Sequence, residues 1–365
     1  MKAAVLHALG EPLSIETIED PIPGGGEVVL DVAAAGVASY TAGILSGARN
    51  YLLELPIVPG PGGVGRVRAV GPDTTRLEVG DWVYCDATIR ARDDALVPEQ
   101  MLLGWTAHSE ASLPLHRTYH NGSYAEQVLV PLENVTPLGD IDQVDAGRWC
   151  GLSQVLVPFG GLLAVDLRVG ETIVVNGATG GFGSAGVAVA LAMGAATVVA
   201  TGRNEASLAL IAERLGPRVV PAPMSGDEAE DRRRIVEAAG APIDCVLDLL
   251  PREATATQVR AAVLAVRHGG RISLMGGVGR QGGDDLALPY PWLMRNDITL
   301  RGTWMYPRSA IPRMIALIRS GHLDLSTFDL HEFALDDANA AVAHAAATVG
   351  PLRRTVIRPD RSVAR

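Results

Sequence analysis

The sequence predicts an α/β protein: a doubly wound parallel sheet preceded by a compact β-barrel domain. Three observations carry this. Residues 1–150 hold short strand-like runs between Gly/Pro turns, residues 151–305 alternate strands with helices, and residues 306–365 bring the chain back to one more strand-forming run.

In the first stretch, Glu27-Val28-Val29-Leu30-Asp31-Val32 and Gly65-Arg66-Val67-Arg68-Ala69-Val70 read as strands. Turn signals Pro23-Gly24-Gly25-Gly26 and Gly71-Pro72-Asp73 bound them. Strands this short, this closely spaced, suggest a barrel. Residues 86–121 lack a strong apolar pattern and read as a long irregular connection, the kind that serves as a lid or functional loop.

The texture then changes. Residues 172–176 are an apolar, β-branched strand, and 183–193 a helix of small apolar residues. A second strand (197–201) and helix (205–215) follow, then a strand at 244–250, a helix at 254–267, and strands at 271–275 and 298–300. This alternation implies a parallel sheet covered on both faces. In the last stretch, two helical segments are expected around residues 323–335, before a closing strand, Thr355-Val356-Ile357.

Composition removes several classes of function. The 365 residues are 48% hydrophobic and 20% charged, enough for two or three folded domains. A net charge of -10 offers no basic face, so neither nucleic acid nor a membrane surface is expected as a partner. No apolar run reaches the ~18–20 residues of a membrane helix. Glu11 and Glu16 follow the N-terminus too soon for a signal peptide. Cys85, Cys150 and Cys245 are odd in number and scattered, which points to a reducing cytoplasm. Lys2 is the only lysine, so Schiff-base, pyridoxal and Walker-lysine chemistry are excluded.

The strongest motif is Ile173-Val174-Val175-Asn176-Gly177-Ala178-Thr179-Gly180-Gly181-Phe182-Gly183, a strand entering a glycine-rich turn with a helix from Ser184. Gly177, Thr179, Gly180, Gly181, Phe182 and Gly183 would bring backbone amides and a helix N-terminus against a pyrophosphate. A carboxylate about 20 positions later would hold a ribose 2′-hydroxyl. Arg203 stands there, in Gly202-Arg203-Asn204. Its planar fork suits a 2′-phosphate, so NADP(H) is the expected cofactor. A solvated arginine, or one stacked on adenine, is the other reading. Gly276, after the 271–275 strand, completes the expected cofactor contacts in this stretch.

The order of these parts resembles the medium-chain dehydrogenase/reductase superfamily along nearly the whole chain. Its carriers include Gly36-Val37, Pro59-Gly60, Val79-Gly80-Asp81-Trp82-Val83, Gly122-Ser123-Tyr124-Ala125-Glu126, Gly170-Glu171-Thr172 and Gly269-Gly270-Arg271. The resemblance implies a GroES-like barrel, a Rossmann domain, an active-site cleft between them, and a homodimer or homotetramer. It also marks departures. Ala38 stands where zinc enzymes of the family carry cysteine, and Gly60-Pro61-Gly62 replaces their Gly-His-Glu. Of the three ligand positions only Cys150 keeps a ligand type, and one thiolate cannot fill a catalytic zinc site. The cysteine-rich structural lobe is missing too. A zinc-independent enzyme with no metal site is expected, and His116 and His120 read as solvated or cleft-lining.

Without a metal, the charge that builds on oxygen during hydride transfer needs a donor. Within Ala38-Ser39-Tyr40-Thr41 the resemblance places Tyr40 at the proton-relay position, beside Ser39; packing in a cleft wall is the equal alternative. His108, His116, Tyr119 and His120 could replace it. The same resemblance puts Cys150 near the nicotinamide, where it is a nucleophile or an inert remnant, Ser153 near the nicotinamide ribose, and Arg354 near the pyrophosphate. The expected activity is NADP(H)-dependent reduction of a carbonyl or conjugated alkene on a small, apolar molecule. A quinone reductase, a zinc alcohol dehydrogenase and a non-catalytic NADP(H)-binding sensor are the alternatives. Ala38 and Thr41 differ from the Asn and Asp/Glu that quinone reductases often carry.

Overall fold

A computed structural model describes residues 1–280 and 282–359; residues 360–365 of the expected returning segment lie outside them. The chain divides into two units. Met1–Ser153, Phe328–Val349 and the described residues from Arg353 onward form the first; Gln154–Thr327 and Gly350–Leu352 form the second. Residues 306–327, which the sequence places with the returning segment, cluster with the second unit.

The first unit opens with an antiparallel pair, β1 (Lys2–Val5) and β2 (Ser14–Thr17). Its spine is β3 (Glu27–Val37), followed by the short helix α1 (Thr41–Leu45). Val28, Leu30 and Val32 of β3 enter the core. Register shifts at Val29/Leu30 and Val32/Ala34 mark bulges, which bend a strand and raise its twist. Next come β4 (Gly63–Val70) and β5 (Trp82–Cys85). Residues 86–121 are not the irregular connection expected. They form a three-stranded antiparallel sheet, β6 (Thr88–Arg90), β7 (Gln100–Leu102) and β8 (Thr106–Ala107), and the helix α2 (Leu113–Thr118). Strands of two or three residues are too short for an alternation to show in sequence. Then come β9 (Gln127–Pro131), β10 (Val135–Pro137) and α3 (Ala146–Trp149).

The second unit begins within α4 (Leu152–Ala164). Strand and helix then alternate: β11 (Thr172–Asn176), α5 (Gly181–Ala192), β12 (Thr197–Gly202), α6 (Glu205–Leu215), β13 (Val219–Pro223) and α7 (Glu228–Ala239). The second half is β14 (Cys245–Asp248), α8 (Ala256–Val263), β15 (Arg271–Leu274), α9 (Tyr290–Arg295), β16 (Thr299–Gly302) and α10 (Ala310–Arg319). All six strands pair in parallel, in the order β13-β12-β11-β14-β15-β16. The order reverses between β11 and β14, and a sheet of this kind binds ligands outside the strand ends at that switch point. Val174, Val199, Val246 and Ile272 are fully buried along the sheet, as strands covered on both faces require.

The chain returns through β17 (Asp329–Ala334), α11 (Ala338–Ala347) and β18 (Arg353–Arg358). β18 pairs antiparallel with β3 and parallel with β17, completing the path β10-β5-β4-β3-β18-β17, with β9 also on β3. The helices expected around 323–335 are α10 and α11, on either side, while residues 329–334 are a strand. The partner β18 decides that segment's conformation, in register from Asp329↔Arg353 to Ala334↔Arg358. Among the described residues no helix is long and apolar enough to cross a membrane.

Candidate functional site

In the second unit the glycine turn follows β11. Gly177 takes φ +84°, the left-handed region where glycine carries no steric cost. Gly180 is the N-cap of α5 and offers no side chain to its first turn, leaving that end to an external acceptor. Gly183 lies against the turn: a Cβ there would overlap the Gly177 carbonyl oxygen and stand 2.7 Å from its carbon. A Cβ on Gly202 would overlap Thr179 Cγ2. The turn is therefore a cradle that side chains would fill, and it fits a dinucleotide's pyrophosphate.

Arg203 follows Gly202 directly. It is exposed, and no carboxylate among the described residues pairs with it. Asn204 caps α6, its Oδ1 accepting from the Ser207 amide at 2.9 Å. Gly276 lies past β15, where a Cβ would stand 2.6 Å from the Leu250 oxygen and 2.7 Å from Asp248 Oδ2. The predicted cofactor residues of this unit thus gather at the C-terminal edge of one sheet. Thr179, Gly180, Gly181 and Phe182 are half-buried there.

One feature beneath the turn escaped sequence reasoning. Thr201 Oγ1 donates to Asn176 Oδ1 at 2.7 Å, and Asn176 Nδ2 donates to Asp248 Oδ1 at 2.8 Å. This chain ties the ends of β12, β11 and β14 together. Asp248 is 2% exposed, and burial pushes its carboxyl up to about 7. The Asn176 and Leu250 donors favour the carboxylate, but desolvation outweighs them. Its one mark in the sequence is a polar residue near the end of each of three apolar strands, Asn176, Thr201 and Asp248; the sheet order decides that they meet.

In the first unit, Tyr40 immediately precedes α1 and is half-buried. The Trp105 ring meets it edge-on at 5.5 Å between centroids, and the Arg49 guanidinium lies 4.4 Å over its face. Burial raises the phenol well above its ordinary value, with Arg49 opposing that shift. Ser39 is exposed. Tyr124 donates from its hydroxyl to the Gly36 carbonyl at 3.1 Å, anchoring the end of β3 beside them.

Two expectations need correction, and the two readings of Cys150 separate. Cys150 is 1% exposed, and burial pushes its thiol up to about 12, which supports the inert remnant over the nucleophile. Arg354 is buried inside the first unit: its Nη1 donates to the Arg148 carbonyl at 2.9 Å, and its guanidinium lies 4.9 Å over Phe328. Burial lowers it to about 10, and Gly151 makes the room, since a Cβ there would overlap the guanidinium. His116 is neither solvated nor lining a surface; it is fully buried, and burial holds it near 4, the neutral form. Its ring packs at 5.3 Å on His120, whose Nε2 donates to the Pro56 carbonyl. Ser153, half-buried, donates to the Cys150 carbonyl at 2.9 Å.

A three-ligand zinc set is missing from the positions where the resemblance would put it. Ala38 and Pro61 carry no side-chain donor, which leaves Cys150 as the one ligand type among the three positions. Among the described residues, no three His, Cys, Asp or Glu side chains converge as a metal-holding group.

A parallel six-stranded sheet with a glycine cradle at its switch point, and a mostly antiparallel β unit to which the chain returns, define a two-domain dehydrogenase architecture. Residues 24–140 match the alcohol dehydrogenase GroES-like domain, and residues 181–320 match the zinc-binding dehydrogenase domain. An alcohol dehydrogenase from Moraxella sp. (strain TAE123) is 31% identical over 255 residues, 67% of this chain and 71% of that protein. An NAD-dependent alcohol dehydrogenase from Sulfurisphaera tokodaii is 26% identical over 94% of this chain and 95% of its own length. Among solved structures, alcohol dehydrogenase TADH from Thermus sp. ATN1 superposes with a TM-score of 0.80 at 23% identity, covering 98% of this chain and 99% of that one. The chain belongs to the medium-chain dehydrogenase/reductase superfamily, as an alcohol dehydrogenase-like oxidoreductase.

Proposed function

We propose that this chain uses NADP(H), without a catalytic zinc, to interconvert a carbonyl or conjugated alkene with its reduced form. The single observation behind the cofactor assignment is Arg203, exposed at the end of β12 with no carboxylate neighbour to claim it. A relative named as NAD-dependent leaves either dinucleotide open to the family, and the side chain at this position discriminates between them. Residues 177–183 would hold the pyrophosphate and Arg203 the 2′-phosphate; the bound nicotinamide supplies or accepts the hydride. Arg203→Ala is expected to weaken NADPH about 10–100-fold, the range of lost charge-assisted hydrogen bonds, while NADH binding stays nearly constant. Equal losses in fluorescence titrations would remove the assignment.

The residues at the family's zinc positions, Ala38 and Pro61 beside Cys150, do not fit the metal. Tyr40 takes the charge-stabilising role. Its raised phenol stays protonated at neutral pH and so remains a hydrogen-bond donor. It donates to the oxygen on which charge develops and gives up its proton to an alkoxide, which is the stronger base. Tyr40→Phe is expected to lower kcat about 100-fold, at the low end for general acid catalysis, without changing NADPH affinity by more than about twofold. Full activity in the variant would clear Tyr40 of the role.

The proposed assembly is a homodimer or homotetramer. What supports self-association is the sheet edge: all four residues of β16 are exposed, and Tyr290, Met294, Leu300 and Trp304 are exposed large apolar side chains in the same stretch. Native mass spectrometry should read a dimer or tetramer mass carrying no zinc. A monomer mass would end the first claim, and one zinc per chain the second.

A further inference from the structure

Among the described residues no acidic group answers the positive charge of Arg49. Several other arginines of this unit are bound to carboxylates, among them Arg117 to Glu54 at 2.6 Å and Arg92 to Glu133. The chain has 41 acidic residues against 31 basic ones, so a missing partner is a property of the place, not of the supply. Around Arg49 there are aromatic faces instead. Its guanidinium lies 4.4 Å over Tyr40 and 5.8 Å from Tyr51. Its Nε is buried without an acceptor, and no described carboxylate or carbonyl accepts from the guanidinium.

The fold holds the group there. The Arg49 amide donates to the Gly43 carbonyl at 3.0 Å, and its stem packs on Gly43, where a Cβ would stand 3.3 Å from Arg49 Cγ. The following segment is pinned to β8: the Leu52 amide donates to Thr106 Oγ1 at 3.0 Å, and the Ala107 amide to the Leu52 carbonyl at 2.7 Å. That pairing brings Trp105 against Tyr40. Trp105 is 5% exposed, and its Nε1 is a second buried donor without an acceptor.

Guanidinium and indole only donate hydrogen bonds. Both groups border one phenol, Arg49 over its face and Trp105 at its edge, and neither meets an acceptor among the described residues. Trp105 is sealed in the wall, whereas Arg49 is half-buried, and the chemistry that answers a guanidinium is a flat, anionic acceptor, a carboxylate meeting it by two parallel bonds. We propose that Arg49 is a substrate-binding residue that selects molecules bearing a carboxylate. This rests on the reading of Tyr40 as the donor to the reacting oxygen, and replaces the apolar substrate expected from sequence with an anionic one. The Tyr40 and Tyr51 rings would flank the bound group, with its charge on the guanidinium.

The test compares two aldehydes that differ in one charge, 4-carboxybenzaldehyde and methyl 4-formylbenzoate, as substrates with NADPH. The wild-type protein should prefer the acid about tenfold or more in kcat/KM, the range of a charge-assisted hydrogen bond. Arg49→Met should abolish the preference, and Arg49→Lys, which keeps charge but loses the fork, should retain part of it. A second arm needs no turnover: calorimetric titration of benzoate and benzamide into the protein, alone and with NADP+. Benzoate should bind about tenfold tighter than benzamide to the wild type and no tighter to Arg49→Met, with melting curves confirming that both variants fold. If neither aldehyde reacts while benzoate binding still depends on Arg49, the carboxylate site stands and the catalytic reading falls. Equal treatment of acid and ester, or benzoate binding that is absent or indifferent to Arg49, overturns the proposal.

Discussion

Gly183→Ala is expected to cut dinucleotide affinity at least about tenfold and to destabilise the protein by about 1–3 kcal/mol, the usual cost of overpacking. Two effects oppose each other here. Alanine is the better helix former by roughly 1 kcal/mol, and Gly183 lies within α5. Its Cβ, however, would overlap the Gly177 carbonyl oxygen and stand 2.8 Å from Ala178 Cα, both backbone atoms. Backbone cannot rotate aside as a side-chain tip can, so the turn itself must shift, and its amides move with it. Gly180→Ala is the control for strain alone: the nearest atom to its Cβ is 3.6 Å away, ordinary contact, so this variant should melt close to the wild type. Dinucleotide titration and thermal melting of both variants decide the matter. Wild-type affinity in Gly183→Ala would show that the turn does not hold the cofactor.

Asp248→Asn is expected to make the protein progressively more stable than the wild type as pH rises from 5 to 8. Burial lifts the Asp248 carboxyl to about 7 in the fold, whereas an unfolded aspartate titrates near 3.9. Between those values the folded state holds a proton that the unfolded state has released. Its stabilising contribution is complete at low pH and is lost as pH climbs through 7. A shift of about three units corresponds to roughly 4 kcal/mol as an upper bound. Asparagine mimics the protonated acid, with one acceptor and a donor in place of the hydroxyl, and does not titrate. Neither Asn176 nor Thr201 titrates, so the slope belongs to Asp248. Urea unfolding at pH 5, 6, 7 and 8 should give diverging curves; parallel curves would mean the carboxyl is ordinary.

Much of the second unit was legible because its strands are buried on both faces. Burial on both faces writes a continuous apolar run, and Ile173–Val175 and Val198–Ala200 are such runs, every residue at 0% exposure. The glycine turn was legible for a related reason: contacts closer than a Cβ allows, with backbone at Gly183 and with the Thr179 side chain at Gly202, favour glycine at both positions. β17 was not legible. Asp-Leu-His-Glu-Phe-Ala carries no strong period, and its strand conformation comes from β18, further along the chain. The small β6-β7-β8 sheet escaped for want of length. Arg354 was assigned to the pyrophosphate on resemblance alone and His116 to solvent or a cleft on its loop-like surroundings, and both are buried. Phe328 and the Arg148 carbonyl take in the one, and neutrality makes the other tolerable.

The sequence by itself determined the strand–helix alternation of the second unit, the glycine turn, the arginine that follows its second strand, and the missing ligands at Ala38 and Pro61. These depend on neighbours within a few residues, or on which atoms a side chain possesses. The tertiary structure alone decided which polar groups are cut off from water and what they face: Asp248 under the turn, Cys150 sealed, Arg49 between two tyrosines. Those properties arise from desolvation and from contacts between distant segments, and no local pattern encodes either.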